Sequence, residues 1–328
     1  MLNKGLFMKK PWKVAVMGEC MVELYRDGDH LVQTYGGDTF NTSAYLRRVC
    51  GDDVKVDYIS ALGKGDSFSE GMAKFWEANG VGSSLTRRID GRLPGLYAIE
   101  VDDKGERSFL YWRNEAAVRD CFDGQEGDAL LQKLQNYNLV YLSGISLAVL
   151  KPESREKFTN RLKELSKQGI KIAFDFNYRP NVWKSHNENP AEFYKNVCAV
   201  ADWVFLSPEE LEAAGIKAAD LDSEEFKRQL KSLGAKEVVV KNGDKPCLVY
   251  NAGTGDTVKV DVAEKLVPID TTAAGDSFTA AYLGGLLYDL PVKERIKRAQ
   301  QLAASVIMYH GAIIPENVTP HIFQDLQS

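Results

Sequence analysis

Basic excess is missing from this sequence. Lys and Arg together number 41 against 46 Asp and Glu, for a net charge of −5 at pH 7. Such a chain has no electrostatic footprint for nucleic acid, and if it binds an anion it needs local cations. Closely spaced cysteines are missing too. Cys20, Cys50, Cys121, Cys198 and Cys247 lie far apart, with no C-x-x-C and no histidine near them at metal-ligand spacing. This excludes a disulfide framework or zinc site and reads as reduced core thiols of a cytoplasmic protein. Met1–Lys10 holds only a three-residue apolar run before Lys9, so neither a signal peptide nor a membrane span is expected in this stretch, with Met8 an alternative start. Two phosphate-binding motifs are absent as well. No G-x-G-x-x-G follows the first strand, where Gly18-Glu19-Cys20 stands, and no G-x-x-x-x-G-K-[ST] occurs. A dinucleotide-dependent oxidoreductase and a Walker-type NTPase are thereby disfavoured. No internal repeat, low-complexity tract or linker divides the 328 residues, so residues 1–328 read as one domain with an appendage.

What is there is an alternation. Lys13–Gly18, Val56–Ala61, Leu139–Leu142, Ile170–Phe176, Trp203–Leu206 and Glu237–Lys241 are short apolar runs, the pattern of strands buried on both faces. Between them lie helical stretches such as Asp66–Asn79, stopped by Gly80, and Glu153–Gln168, stopped by Gly169. The fold class is α/β, with a mostly parallel central sheet flanked by helices on both faces. Ligands of such a sheet bind beyond the carboxyl ends of its strands.

Two segments break the rhythm. Asp27-Gly28-Asp29 and Asp102-Asp103-Lys104-Gly105-Glu106 each divide β-prone runs, so approximately 20–36 and 95–114 read as hairpins forming a small β-sheet lid. A turn centred on Lys104 places Tyr97 opposite Tyr111 and Gly95 opposite Arg113. Period two then sets Tyr97, Tyr111 and Arg113 on one face and Trp112 on the other. Two phenols and a guanidinium suit a small hydroxylated anion. The alternative is that the tyrosines pack on the main domain while Arg113 faces solvent.

Ile269–Leu283 runs from a polar turn into an apolar segment of helical length. The N–H groups of Ala273, Ala274, Gly275 and Asp276 then converge at a helix N-terminus, which is an anion site. Asp276 beside it suggests phosphoryl transfer to a hydroxyl, with amides holding developing charge and the carboxylate acting as base. The plainer alternative is a helix capped by its own Asp and Ser. Upstream, Gly36-Gly37-Asp38-Thr39-Phe40-Asn41 combines two glycines with a capping residue, and Asn41 offers a donor and an acceptor to a sugar diol. It too is compatible with a simple capped turn.

Asp270-Thr271-Thr272-Ala273-Ala274-Gly275-Asp276 is similar to the C-terminal signature D-T-x-G-A-G-D of the ribokinase-like (PfkB) carbohydrate kinases, and the Gly36-Gly37 segment resembles that family's N-terminal signature. Gly18–Met21, Arg92–Tyr97, Tyr111–Ala117, Leu142–Leu147, Asn177–Pro180 and Gly311–Pro315 extend the likeness to the branch acting on 2-keto-3-deoxy sugar acids. The resemblance implies a ribokinase-like fold and transfer of the ATP γ-phosphoryl group to the terminal hydroxyl of 2-keto-3-deoxygluconate, with Asp276 as base. Fructose, ribose and the galactonate epimer are the alternatives. It implies substrate contacts from Gly36, Gly37, Asp38, Asn41, Tyr97, Tyr111, Trp112, Arg113 and Arg179. For nucleotide it implies Asn177, Tyr178, Arg179, Lys241, Asn242, Gly243, Asp244, Lys245, Pro246 and the Ala273–Asp276 turn. The family's magnesium-associated N-x-x-E becomes Ser207-Pro208-Glu209-Glu210, so Glu210 is expected to meet Mg²⁺ through water. Many relatives also hold a monovalent cation such as K⁺ near the Asp270 loop. Where the family usually has Gly, this chain has Ala273, whose methyl group calls for a backbone open to non-glycine residues and so a slightly different turn. No nucleic-acid or membrane partner is expected. Exposed lid strands invite edge pairing into a homo-oligomer, dimer or higher.

Overall fold

The central strands of the main sheet send alternate side chains to opposite faces, and both sets are largely apolar. Val14 and Val16 join one core while Ala15 and Met17 join the other, and Val239 parts from Val238 and Val240 in the same way. The computed structural model describes residues 10–101, 107–184, 190–217, 220–221 and 223–327. Met8 and the turn around Lys104 lie outside them.

Fourteen strands occur among the described residues: β1 Trp12–Met17, β2 Met21–Asp27, β3 His30–Gly36, β4 Val54–Gly63, β5 Val81–Gly82, β6 Thr86–Ile89, β7 Leu96–Val101, β8 Arg107–Trp112, β9 Leu139–Ser143, β10 Lys171–Asp175, β11 Trp203–Leu206, β12 Glu237–Val240, β13 Cys247–Asn251 and β14 Thr257–Val260. Ten form one sheet in the order β14-β13-β12-β11-β10-β9-β1-β4-β5, with β6 also on β4. From β12 to β6 the pairing is parallel, and β13 and β14 add an antiparallel edge. Sequence patterning placed the six central strands within two residues of their ends but passed over β5, β6, β13 and β14. Phe122, Phe158, Phe174 and Trp183 fill one face, and Phe40, Tyr45, Trp76 and Tyr282 the other. Each such side chain contributes roughly 1.5–3 kcal/mol on burial.

The two hairpins leave this sheet and make a second one, β3-β2-β7-β8. β2 and β7 join them in parallel, and β7 pairs β8 antiparallel with Tyr97 opposite Tyr111. That register is the one the turn chemistry calls for. The ladder ends at Leu96 and Trp112, so Arg113 lies just beyond it. Helix Ala274–Leu287 is buried on every side from Ser277 onward, against helices Asp38–Cys50 and Val292–Val306. An all-apolar helix is stable only in such a position.

Candidate active site at the carboxyl edge of the sheet

The turn before helix Ala274–Leu287 is tied from within. Asp270 accepts from the Thr272 N–H (3.0 Å) and hydroxyl (2.6 Å), and from the Gly311 N–H at 3.1 Å. Ala273 then takes φ 60°, ψ 12°. This corrects the expectation drawn from its methyl group: the left-handed turn is kept, and alanine bears the strain that glycine would avoid. A second correction concerns Ala274, whose N–H donates to the Thr271 carbonyl at 3.2 Å. Among the described residues no acceptor is recorded for the N–H groups of Ala273, Gly275 or Asp276. These three are the donors left for an anion. The Lys241 ammonium sits 3.4 Å from where a Gly275 side chain would begin, so the bare glycine brings a cation under the turn.

Asp276 follows in the first helical turn. Its Oδ2 accepts from Asn41 Nδ2 at 2.8 Å. Burial raises its carboxyl to about 7, helped by the Asp38 charge and opposed by the Asn41 hydrogen bond and Lys241. Asn41 is 5% exposed, and its Oδ1 has no partner among the described residues. A buried amide oxygen left free beside a carboxylate is an acceptor for a ligand's hydroxyl. Asp38, at the start of the same helix, accepts from Asn177 Nδ2 at 2.6 Å, and burial raises its carboxyl above the usual range.

The strand ends supply the rest. Asp175, closing β10, holds Lys241, which follows β12, at 2.6 Å, and accepts from the Thr279 hydroxyl at 2.9 Å. Burial lowers the Lys241 pKa, but Asp175 together with Glu210 and Asp276 outweighs it and the net direction is up. Asn177 has φ 30°, a strained conformation that Asn tolerates better than most residues. Glu210 accepts from Tyr178 N–H (2.6 Å), Ser207 N–H (2.8 Å) and the Ser207 hydroxyl (3.1 Å), so both carboxylate oxygens already hold the loop.

Asp38, Asn41, Asp175, Asn177, Glu210, Lys241 and the Ala273–Asp276 turn line one cleft of about 660 Å³. Of the expected substrate residues, Gly36, Gly37, Asp38, Asn41, Tyr97, Tyr111 and Arg179 line it, with Tyr97 and Tyr111 at a ring separation of 5.8 Å. Trp112 does not: alternation turns it to the other face of the small sheet, 60% exposed. Neither does Arg113, which is neither free on the lid face nor solvated but paired with the buried carboxylate of Glu19. Of the expected nucleotide residues, Asn177, Arg179 and Lys241–Lys245 line the cleft. Tyr178 instead lines an adjoining cavity, and Pro246 stands back, its carbonyl accepting from Asn242 Nδ2 at 3.3 Å. Sequence reasoning assigned no role to Asp175, Glu19, Phe109 or Glu23, the last of which accepts from the Tyr97 hydroxyl. Asp175 had a signal, a carboxylate closing an apolar strand. Phe109 had one in alternating with Tyr111.

The chain is 43% identical to a 2-dehydro-3-deoxygluconokinase of Escherichia coli (strain K12) over 311 residues, covering 94% of this chain and 99% of that protein. It is 40% identical to the protein of the same name from Dickeya dadantii (strain 3937), over 94% and 98% of the two chains. Among solved structures, a fructokinase with bound ATP from Xylella fastidiosa superposes with a TM-score of 0.77 over 95% and 98% of the chains at 22% identity, a likeness of fold. Residues 12–319 match the family model described as pfkB family carbohydrate kinase, and the chain belongs to that family.

Proposed function

We propose that this carbohydrate kinase transfers the γ-phosphoryl group of ATP to the terminal (6-) hydroxyl of 2-keto-3-deoxygluconate, giving the 6-phosphate and ADP. The observation that carries the reading is Asp276, raised to about 7 and oriented by Asn41, beside free helix N-terminal amides with Lys241 behind them. The sugar hydroxyl loses its proton to Asp276 as its oxygen forms the bond to phosphorus, and the β–γ bridging bond breaks to release ADP. Amides of Ala273, Gly275 and Asp276 stabilise the transferring group. Asn41 and Asp38 bind sugar hydroxyls, while Tyr97 and Tyr111 cover the sugar from the lid. Arg179 and Arg113 take its carboxylate, because a desolvated anion is costly without paired donors. The relatives' names support this substrate.

Lys241–Lys245 and the Asn177–Arg179 segment serve the nucleotide. Bound Mg²⁺ supplies charge neutralisation on the phosphates. No cluster of three or more metal-ligating side chains occurs among the described residues, and Glu210 already holds its loop, which fits an ion carried by phosphates and water with Glu210 at one remove. Asp270 is likewise engaged with Thr272 and Gly311, and a K⁺ bound at this turn would add positive charge beside the anion site. We read the chain as one domain with a lid that excludes water. Five buried, unpaired cysteines fit a reducing cytoplasm, and no described helix is long and apolar enough to cross a membrane.

The test is coupled ADP release with MgATP and 2-keto-3-deoxygluconate, its galactonate epimer, fructose or ribose, on wild type, Arg113→Ala and Arg179→Ala. Activity confined to the sugar acids, with kcat/KM collapsing in the arginine variants, is expected. Preference for fructose or ribose with harmless arginine variants would overturn the substrate.

A further inference from the structure

Glu19 lies between β1 and β2, where the chain leaves the large sheet for the small one, and is 3% exposed. Its Oε2 accepts from Arg113, just past β8, so this ion pair ties together two roots of the lid. Its Oε1 has no partner among the described residues. The Gly95 backbone closes over it: a Cβ at Gly95 would lie 2.5 Å from Oε1 and push the carboxylate aside. Gly37 packs instead on the Glu19 backbone, where a Cβ would lie 2.2 Å from the carbonyl oxygen. Burial raises the Glu19 carboxyl above its ordinary range, with Arg113 and then Arg119 opposing and Asp38 adding to it. Cys20 and Tyr58 are the other titratable groups near it.

A buried carboxylate needs a cation, and among the described residues Arg113 is the cation paired with it. Arg113 has five donors in a planar fork, so one edge serves Glu19 and the others remain. Its guanidinium lies 5.8 Å from the ring of Tyr111, which lines the cleft. An unanchored arginine would lose rotamer freedom on meeting a ligand, whereas one already fixed loses little.

We propose that Glu19 is a positioning residue for Arg113, fixing one edge of the guanidinium at the lid root so that the other meets the carboxylate end of an acidic sugar. Glu19 touches no substrate itself. A neutral sugar brings nothing for the free edge, so the pair favours acids. The inference rests on the acid-sugar reading above.

The experiment is a double-variant cycle on the full chain: Glu19→Gln, Arg113→Ala and both together, reading KM for 2-keto-3-deoxygluconate, KM for ATP, kcat and melting temperature. Glu19→Gln should raise the sugar-acid KM about tenfold while kcat changes less than about threefold. In the Arg113→Ala background it should add less than about twofold, because the two residues share one interaction. Equal factors in both backgrounds, an unchanged sugar-acid KM, or an ATP KM rising in parallel would overturn the proposal. Glu19→Asp, which keeps the charge on a shorter arm, covers the case in which Glu19→Gln does not fold. An intermediate sugar-acid KM supports the proposal, and a wild-type KM overturns it. Wild-type preference for fructose or ribose would remove the acid-sugar reading and this inference with it. Acid preference with additive variants would remove this inference alone.

Discussion

At the scale of the residue, Ala273 and Asp276 are both held in states that cost folding energy. Ala273 has the left-handed backbone that an L-residue adopts at about 1–2 kcal/mol. Ala273→Gly should relieve that strain and give part of it back as unfolded-chain entropy, for a net gain of roughly 0.5 kcal/mol. A melting temperature below wild type would show that the methyl's packing outweighs the strain. Asp276 is raised from 3.8 to about 7, so the folded state holds its proton more tightly than the unfolded one. Its contribution to stability is therefore full below about pH 4 and is lost as pH rises to about 7. Asp276→Asn should stabilise the fold at pH 8, on the order of 1–2 kcal/mol after screening, while lowering kcat by about 10²–10⁴ and leaving the sugar KM within about threefold. Wild-type kcat/KM should rise with pH around a midpoint near 7 as the base ionises. A retained kcat in Asp276→Asn, or a flat profile between pH 5.5 and 8, would remove Asp276 from the role of base.

At the scale of the element, the lid hairpin has two faces with different duties. Tyr111 and Phe109 line the cleft while Trp112, one residue on, does not. Tyr111→Ala should raise the sugar KM several-fold, and Trp112→Ala should leave it within about twofold, since period two separates them. Equal effects would mean that the strand rotates when substrate binds. At the sheet's carboxyl edge, β10 ends on Asp175 and Lys241 follows β12, a pair at 2.6 Å with little exposure. Asp175→Ala leaves that ammonium uncompensated, and chemical denaturation should show a loss of about 3 kcal/mol together with a higher KM for ATP. Full stability in this variant would mean that Thr279 and water suffice for Lys241.

At the scale of the whole molecule, β3 and β8 are the edges of the small sheet, each with one side unpaired among the described residues. Edge strands that carry exposed Leu110 and Trp112 invite a second copy. Sedimentation at micromolar concentration should therefore show a dimer or larger species, and a Leu110→Lys, Trp112→Lys variant should shift it toward monomer. A monodisperse wild-type monomer would overturn that. The sequence by itself determined the strand and helix alternation, the two hairpins with Tyr97 opposite Tyr111, and the Asp276 turn, because periodicity and turn chemistry act over a few residues. Only the tertiary structure decided which groups face one another. Glu19 and Arg113 stand 94 positions apart, and Asp175 and Lys241 66. Their pairing follows from which strand ends the sheet order brings together. For the same reason the pairing of Arg113 with the buried Glu19 carboxylate was not legible: chain order carries no signal for a partner supplied by packing.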